Sequence, residues 1–393
     1  MRKNVVVPLG LLAGSLLVGF LLVEVTFRLT GTSYPLWTRA DEWTGFSLRP
    51  GAAGWQTEEG RAYVRINRHG MRDKDRRVGK PEGTVRIAVL GDSYTEARQV
   101  ELEKTFPAVM EHALRSCDRL NREKIEVLNF GVSGFGTAQE RIHFRQVVRQ
   151  FAPDIVLLAM TTGNDIRNNS FALEGNRMKP YFRLDGESLN PDFSFRENPA
   201  FRRQLSFSSR FFQSLVHHSR ALQVLYHAKK IIGRNAAITA STGSGTDIAG
   251  HETGLDDEVY REPGTGEWRE AWELTEQILG GMQIDVRESG AGFAVVTLSN
   301  GIQVHPDPAV RERAARELGV TDLFYPERRI ERTGKKYGFP TLTLAPMMQK
   351  LTEERTLTFH GFEQTGPGAG HWNEEGHRVA GELIARFVCA SLL

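Results

Sequence analysis

The sequence predicts an α/β protein with a central parallel sheet covered by helices on both faces, a large insertion after the third strand and a transmembrane helix at its amino terminus. Three observations predict it: an uncharged apolar run near the start, a strand-helix alternation that begins at Val85, and about a hundred residues after position 166 that break this rhythm.

Residues 5 to 23, VVVPLGLLAGSLLVGFLLV, are nineteen consecutive positions without a charge, and a helix of that length roughly matches a bilayer core. Arg2 and Lys3 precede the run, so the positive-inside rule keeps the short amino end in the cytoplasm and sends the rest outward. A cleaved signal peptide usually has a shorter apolar region followed by a small-x-small site. Here Glu24, Val25, Thr26, Phe27 and Arg28 follow, so an uncleaved anchor over residues 1–30 is expected, with the bulk of the chain extracytoplasmic, in the periplasm or at the cell surface.

A lead-in segment, 31–84, is rich in Gly, Arg and Trp and shows little periodicity. The main unit, 85–393, then reads as strand VRIAVL at 85–90, helix from Thr105 to about Leu120, strand EVLNF at 126–130, helix from Thr137 to Phe151 and strand DIVLLAM at 154–160. Such a series gives a parallel sheet with right-handed crossovers, and ligands sit at the carboxyl ends of its strands. The insertion, about 166–268, has one or two helices within Ser209–Ile232 and a small, polar Gly233–Gly266 tract expected to be a mobile loop. The alternation resumes with a helix near Trp268–Glu288, strand FAVVTLS at 293–299, helices over Pro308–Leu318 and Glu327–Tyr337, strand TLTLA at 341–345 and a last helix from about Asn373 to Leu392.

Lys plus Arg is 50 and Asp plus Glu 48, and the net +2 comes wholly from Arg2, Lys3 and Arg28 against Glu24. A chain otherwise neutral is a poor nucleic-acid binder, which needs a basic surface to displace counterions. Only Cys117 and Cys389 are present. An oxidising compartment would allow them to pair, but Cys117 continues the helical stripe Phe106, Val109, Met110, Ala113 and Leu114, and Cys389 lies just beside the stripe Val379, Leu383, Ile384, Phe387 and Val388, so a buried, unpaired Cys117 is the simpler expectation and the pairing stays open.

Three loops at one sheet edge carry the chemistry. The first, Gly91-Asp92-Ser93, exposes a serine where a buried strand meets a helix. The second runs Asn129-Phe130-Gly131-Val132-Ser133-Gly134, and the third Gly163-Asn164-Asp165. Their glycines let backbone amides approach a substrate oxygen, and Asn164 offers an amide donor. A serine nucleophile needs a base, and His371 stands on a loop just before the last helix, with Asn373 as its amino cap; His377 falls inside that helix. No Gly-x-Ser-x-Gly elbow, His-Glu-x-x-His, Cys-x-x-Cys, Walker A or dinucleotide glycine fingerprint occurs, so neither a metal nor a cofactor is expected.

These four blocks, in this order, resemble the SGNH, or GDSL-like, hydrolase family. The resemblance implies a flavodoxin-like three-layer α/β/α fold, with Ser93 attacking an ester carbonyl, His371 taking its proton, and the amides of Ser93 and Gly134 with the Asn164 side chain holding the oxyanion. Asp92 and Asp165 stand beside these residues as candidate supporting acids. The Asn67–Asp73 stretch also looks like a segment that precedes this domain in some envelope members. One departure is clear: where the family has an Asp three residues before the histidine, this chain has Gly368. A backbone carbonyl would then orient His371, or an acid from elsewhere such as Glu363.

The expected function is a membrane-anchored extracytoplasmic serine esterase that removes O-acyl groups, acetyl above all, from envelope glycans or lipids. Acyl transfer to a surface polysaccharide, or a non-catalytic glycan-binding component of an envelope polysaccharide assembly, are the alternatives that Gly368 leaves open.

Overall fold

The computed structural model describes residues 3–120, 123–186, 188–240 and 256–393. A long helix, α1 (Lys3–Leu29), is followed by strands β1 (Thr38–Asp41), β2 (Gly45–Leu48), β3 (Ala53–Gln56), β4 (Ala62–Arg65) and β5 (Thr84–Gly91). A short helix α2 (Ser93–Glu96), helix α3 (Phe106–Leu114), strand β6 (Lys124–Gly131), helix α4 (Thr137–Gln146) and strand β7 (Ile155–Met160) come next. The insertion holds α5 (Thr162–Asn168), α6 (Phe171–Glu174), the hairpin β8 (Tyr181–Asp185) and β9 (Ser188–Asp192), then α7 (Pro199–Leu205), α8 (Phe207–His218) and α9 (Arg220–Ala240). The chain closes with α10 (Gly266–Glu288), β10 (Gly292–Thr297), α11 (Pro308–Leu318), α12 (Tyr325–Tyr337), β11 (Thr341–Thr343), α13 (Leu344–Arg355) and α14 (Glu374–Ser391).

Five strands form one sheet in the order β11-β10-β7-β5-β6, and every pairing in it is parallel. The chain winds outward one way from β5 to β6 and the other way from β7 through β10 to β11, which is the flavodoxin-like order with its switch point between β5 and β7. Strand side chains alternate between two cores. Ile87, Val89, Val127, Leu157 and Val296 face α3 and α14, while Ala88, Leu90, Leu128, Leu158 and Val295 face α4, α10 and α12. That two-sided burial is why these strands read as unbroken apolar runs instead of alternating ones.

Three expectations need correction. The lead-in, which reads as aperiodic, contains two antiparallel hairpins, β1-β2 and β3-β4. Each strand has only four residues, too few for a period-two pattern to stand out. Leu48, Ala52, Val64 and Ile66 of this segment pack with Val132 and Phe135 of the second loop, so it is joined to the sheet edge that carries the candidate chemistry.

The second correction concerns the cysteines: Cys117 and Cys389 form a disulfide, with Cα atoms 5.9 Å apart. Cys117 does belong to the core stripe after α3, but α3 and α14 lie side by side on one face of the sheet, so the stripes that made each thiol look merely buried place them on a shared seam. The third is the Gly233–Gly266 tract. Helix α9 runs on to Ala240, and residues 241–255 of the expected loop lie outside the described residues.

Candidate active site

Asp92 accepts a hydrogen bond from the Tyr94 backbone N–H at 3.0 Å, capping the short helix that opens at Ser93. Ser93 is thereby held at the carboxyl end of β5, beside the switch point. The turn is tight enough to need its glycines: a Cβ on Gly91 would come within 2.1 Å of Thr95 Oγ1, and one on Gly131 within 2.3 Å of the Glu96 nitrogen. Asn129 fastens the same turn from β6, its Nδ2 donating to the Thr95 carbonyl at 2.7 Å and its Oδ1 accepting from Gly131 N at 2.9 Å.

The structure brings Ser93 and His371 together. Ser93 Oγ lies 2.8 Å from His371 Nε2. On the far side of the ring, Nδ1 lies 2.6 Å from Glu59 Oε2, which also accepts from the His371 backbone N–H at 3.3 Å. A carboxylate can only accept, so Nδ1 carries the proton and Nε2 presents its lone pair to the serine hydroxyl. Burial works to raise the Glu59 carboxyl, yet its hydrogen bonds to His371 and the charge of that ring leave it below the ordinary glutamate value.

Glu59 was not among the sequence candidates, and Glu363, which was, is exposed while Glu59 occupies Nδ1. Nor does position 368 have room for an acid: Gly368 has φ +79, and a Cβ there would stand 2.1 Å from His305 Cδ2. The acid comes instead from the turn of the β3-β4 hairpin, 312 residues away in sequence. Gly60 lets that turn approach, since a Cβ on it would lie 2.3 Å from the Gln99 carbonyl oxygen. The one local signal was an acidic pair, Glu58-Glu59, before a turn glycine.

Asn164 sits in the first turn of α5, where its Nδ2 donates to Asp92 Oδ2 at 3.2 Å. Thr161 Oγ1 donates to the other oxygen of Asp92 at 3.1 Å. Asp92 thus ties the first loop to the third, and burial pushes its carboxyl up. Asp165 accepts from the Thr161 N–H at 2.8 Å and is also raised, by burial and then by the neighbouring carboxyls of Glu140 and Asp92. Both acids brace the loops from within, and neither is the partner of His371 Nδ1. Gly134 is exposed on the second loop with φ +83, a conformation that favours glycine. Beside it, Ser133 N donates to Glu96 Oε2 at 2.8 Å, and its hydroxyl reaches the same oxygen.

Two buried groups outside the sequence candidates hold the loops in place. Arg72, 1% exposed, donates to the carbonyls of Glu96, Ala97 and Val100, clamping the chain just after the serine turn; Ala97 there has φ +55. Arg72 belongs to the Asn67–Asp73 stretch. His360 hydrogen-bonds the Gly370 carbonyl at 2.8 Å through Nδ1, and burial lowers its pKa to about 4, so it stays neutral. His377 is buried in α14, with Nδ1 accepting from Phe106 N at 3.4 Å. Among the described residues no group of three or more His, Cys, Asp or Glu is arranged to hold a metal ion.

No family model matches the chain. A stretch of 86 residues, 22% of this chain, is 27% identical to an arylesterase of Vibrio mimicus and spans 41% of it, so the chain covers about two fifths of that relative's length. An acetylxylan esterase from Geobacillus stearothermophilus aligns over 77% of this chain and 93% of its own, at 11% identity and a TM-score of 0.37. A two-domain esterase active on acetylated mannans aligns over 78% of this chain and 49% of its own, at 10% identity and a TM-score of 0.38. Each of these three proteins is an esterase by name.

Proposed function

We propose that this chain is a membrane-anchored serine esterase of the SGNH type, facing the extracytoplasmic side and deacylating O-acyl, chiefly O-acetyl, groups on envelope glycans or lipids. The observation that carries the reading is the unbroken chain of hydrogen bonds from Ser93 Oγ through His371 to Glu59 at the switch point of a parallel sheet. Ser93 Oγ attacks the ester carbonyl as its proton passes to His371 Nε2, and Glu59 holds the ring and balances the imidazolium. The amides of Ser93 and Gly134 and the Asn164 side chain take the oxyanion. The C–O bond to the alcohol then breaks, His371 returns the proton to the departing oxygen, and water, activated by the same ring, releases the acid and frees Ser93.

Several features support the rest. Helix α1 is apolar and exposed over Val7–Leu29, long enough to cross a bilayer. A disulfide suits an oxidising compartment. Glu59 supplies the acid whose absence at position 368 favours a non-catalytic reading. A fluorophosphonate probe should label the full chain, while Ser93→Ala should lose labelling and lower p-nitrophenyl acetate turnover at least about a thousandfold. A folded wild type that takes no label overturns the proposal.

A further inference from the structure

Helices α8 and α9 carry an exposed apolar surface beside the end of α1. Phe207, Phe211, Phe212 and Leu215 are all exposed along one side of α8. Phe207 and Phe211 stack at 6.3 Å, and Phe212 meets Tyr226 of α9 at 6.4 Å. The surface therefore continues onto α9, where Leu225 and Ile232 are 64% and 69% exposed. A continuous patch of this kind marks a surface that meets something apolar.

Its position says what that is. Glu24 Oε2 accepts from Ser219 Oγ and from Ala221 N, both at 2.9 Å, and Arg28 Nη2 donates to the His218 carbonyl at 2.8 Å. The α8-α9 junction is thus bonded to α1 at the first charged residue after the nineteen uncharged positions, the level at which a spanning helix leaves the hydrocarbon. The charge agrees: from Pro199 to Ile232 there are six Lys and Arg residues and no Asp or Glu. Arg202, Arg203, Arg210, Lys229 and Lys230 are exposed.

We infer that α8 and α9 lie on an anionic phospholipid bilayer as an interfacial amphipathic pair, the Phe207–Leu215 face entering the boundary between headgroups and acyl chains and the cations meeting lipid phosphates. The inference rests on the proposed anchoring of α1 and goes beyond it, because it gives the catalytic domain a second seat on the membrane. Arg49 Nη2 donates to Gln213 Oε1 at 2.6 Å and Arg220 Nη1 to the Ala53 carbonyl at 3.3 Å. The first bond ties the pair to the chain just after β2 and the second to the start of the hairpin whose turn carries Glu59, so seating the pair holds the candidate active site at a set height above the headgroups.

The test uses the full chain reconstituted in phosphatidylglycerol and phosphatidylcholine vesicles containing nitroxide-labelled lipid. The native cysteines are paired, so a single introduced thiol takes an environment-sensitive fluorophore. Labels at Phe211→Cys and Leu16→Cys should both be quenched at least about twofold more than one at Glu312→Cys, an exposed position on α11. If Leu16 is quenched and Phe211 matches Glu312, the interfacial pair is overturned and the anchor stands. If Leu16 is not quenched, the anchor fails and the inference with it. A Phe211 label shielded from water yet untouched by lipid nitroxide means that protein covers this face, which also overturns it.

Discussion

His371 gets its orientation from Glu59, a residue outside every motif that drew attention to the site. A carboxylate 2.6 Å from Nδ1 fixes the tautomer, so that Nε2 turns its lone pair toward Ser93, as the proposed general base must. Glu59→Gln should therefore lower kcat at least about tenfold, and by as much as about four orders of magnitude if the wrong tautomer results, while Glu363→Gln leaves turnover unchanged. Steady-state kinetics on the two variants separates them; equal effects would sink the assignment. Glu59 also bears on stability. Its folded pKa is lowered, so the stabilisation it brings is present above the ordinary glutamate value and is lost as the pH falls through the lowered one. Denaturant unfolding over a pH series should therefore find Glu59→Gln less stable than the wild type above the ordinary glutamate value, with the difference vanishing once the pH is below the lowered one.

At the scale of elements, the serine turn is a short helix that cannot hold its shape by itself. Four residues close few helical bonds, so Asp92 caps it, Asn129 fastens it from β6 and Arg72 binds the three carbonyls that follow. Burial lowers the Arg72 pKa to about 10, with Glu96 and Glu101 opposing that shift, and the guanidinium remains charged at neutral pH. Arg72→Met keeps much of the volume but leaves buried carbonyls without donors. It should destabilise the protein by about 2–4 kcal/mol in denaturant unfolding, about 1–3 kcal/mol for each orphaned group with partial relaxation. A loss below about 0.5 kcal/mol would show that the turn stands unaided.

Taken whole, the molecule is fastened by a covalent bond between the turn after α3 and helix α14, 272 residues apart in sequence. Replacing both cysteines by alanine should lower stability by about 2–4 kcal/mol without moving Ser93 or His371, and thermal unfolding with and without reductant checks it; a reductant-insensitive wild type would contradict the pairing. The strand-helix alternation, the parallel sheet and the placing of Ser93, Asn164 and His371 at one edge were legible in the linear chain, because buried parallel strands are unbroken apolar runs and their carboxyl ends share a side. The lead-in hairpins were not, since four-residue strands carry too short a pattern. Sequence by itself determined the strands of the parallel sheet, most of the helices that cover it and the three loops at its edge, for these follow from periodicity and short-range turn geometry. Only the tertiary structure decided that Glu59 replaces the acid excluded at Gly368 and that Cys117 meets Cys389, because each contact joins residues hundreds of positions apart, and no local preference records which distant surfaces packing will press together.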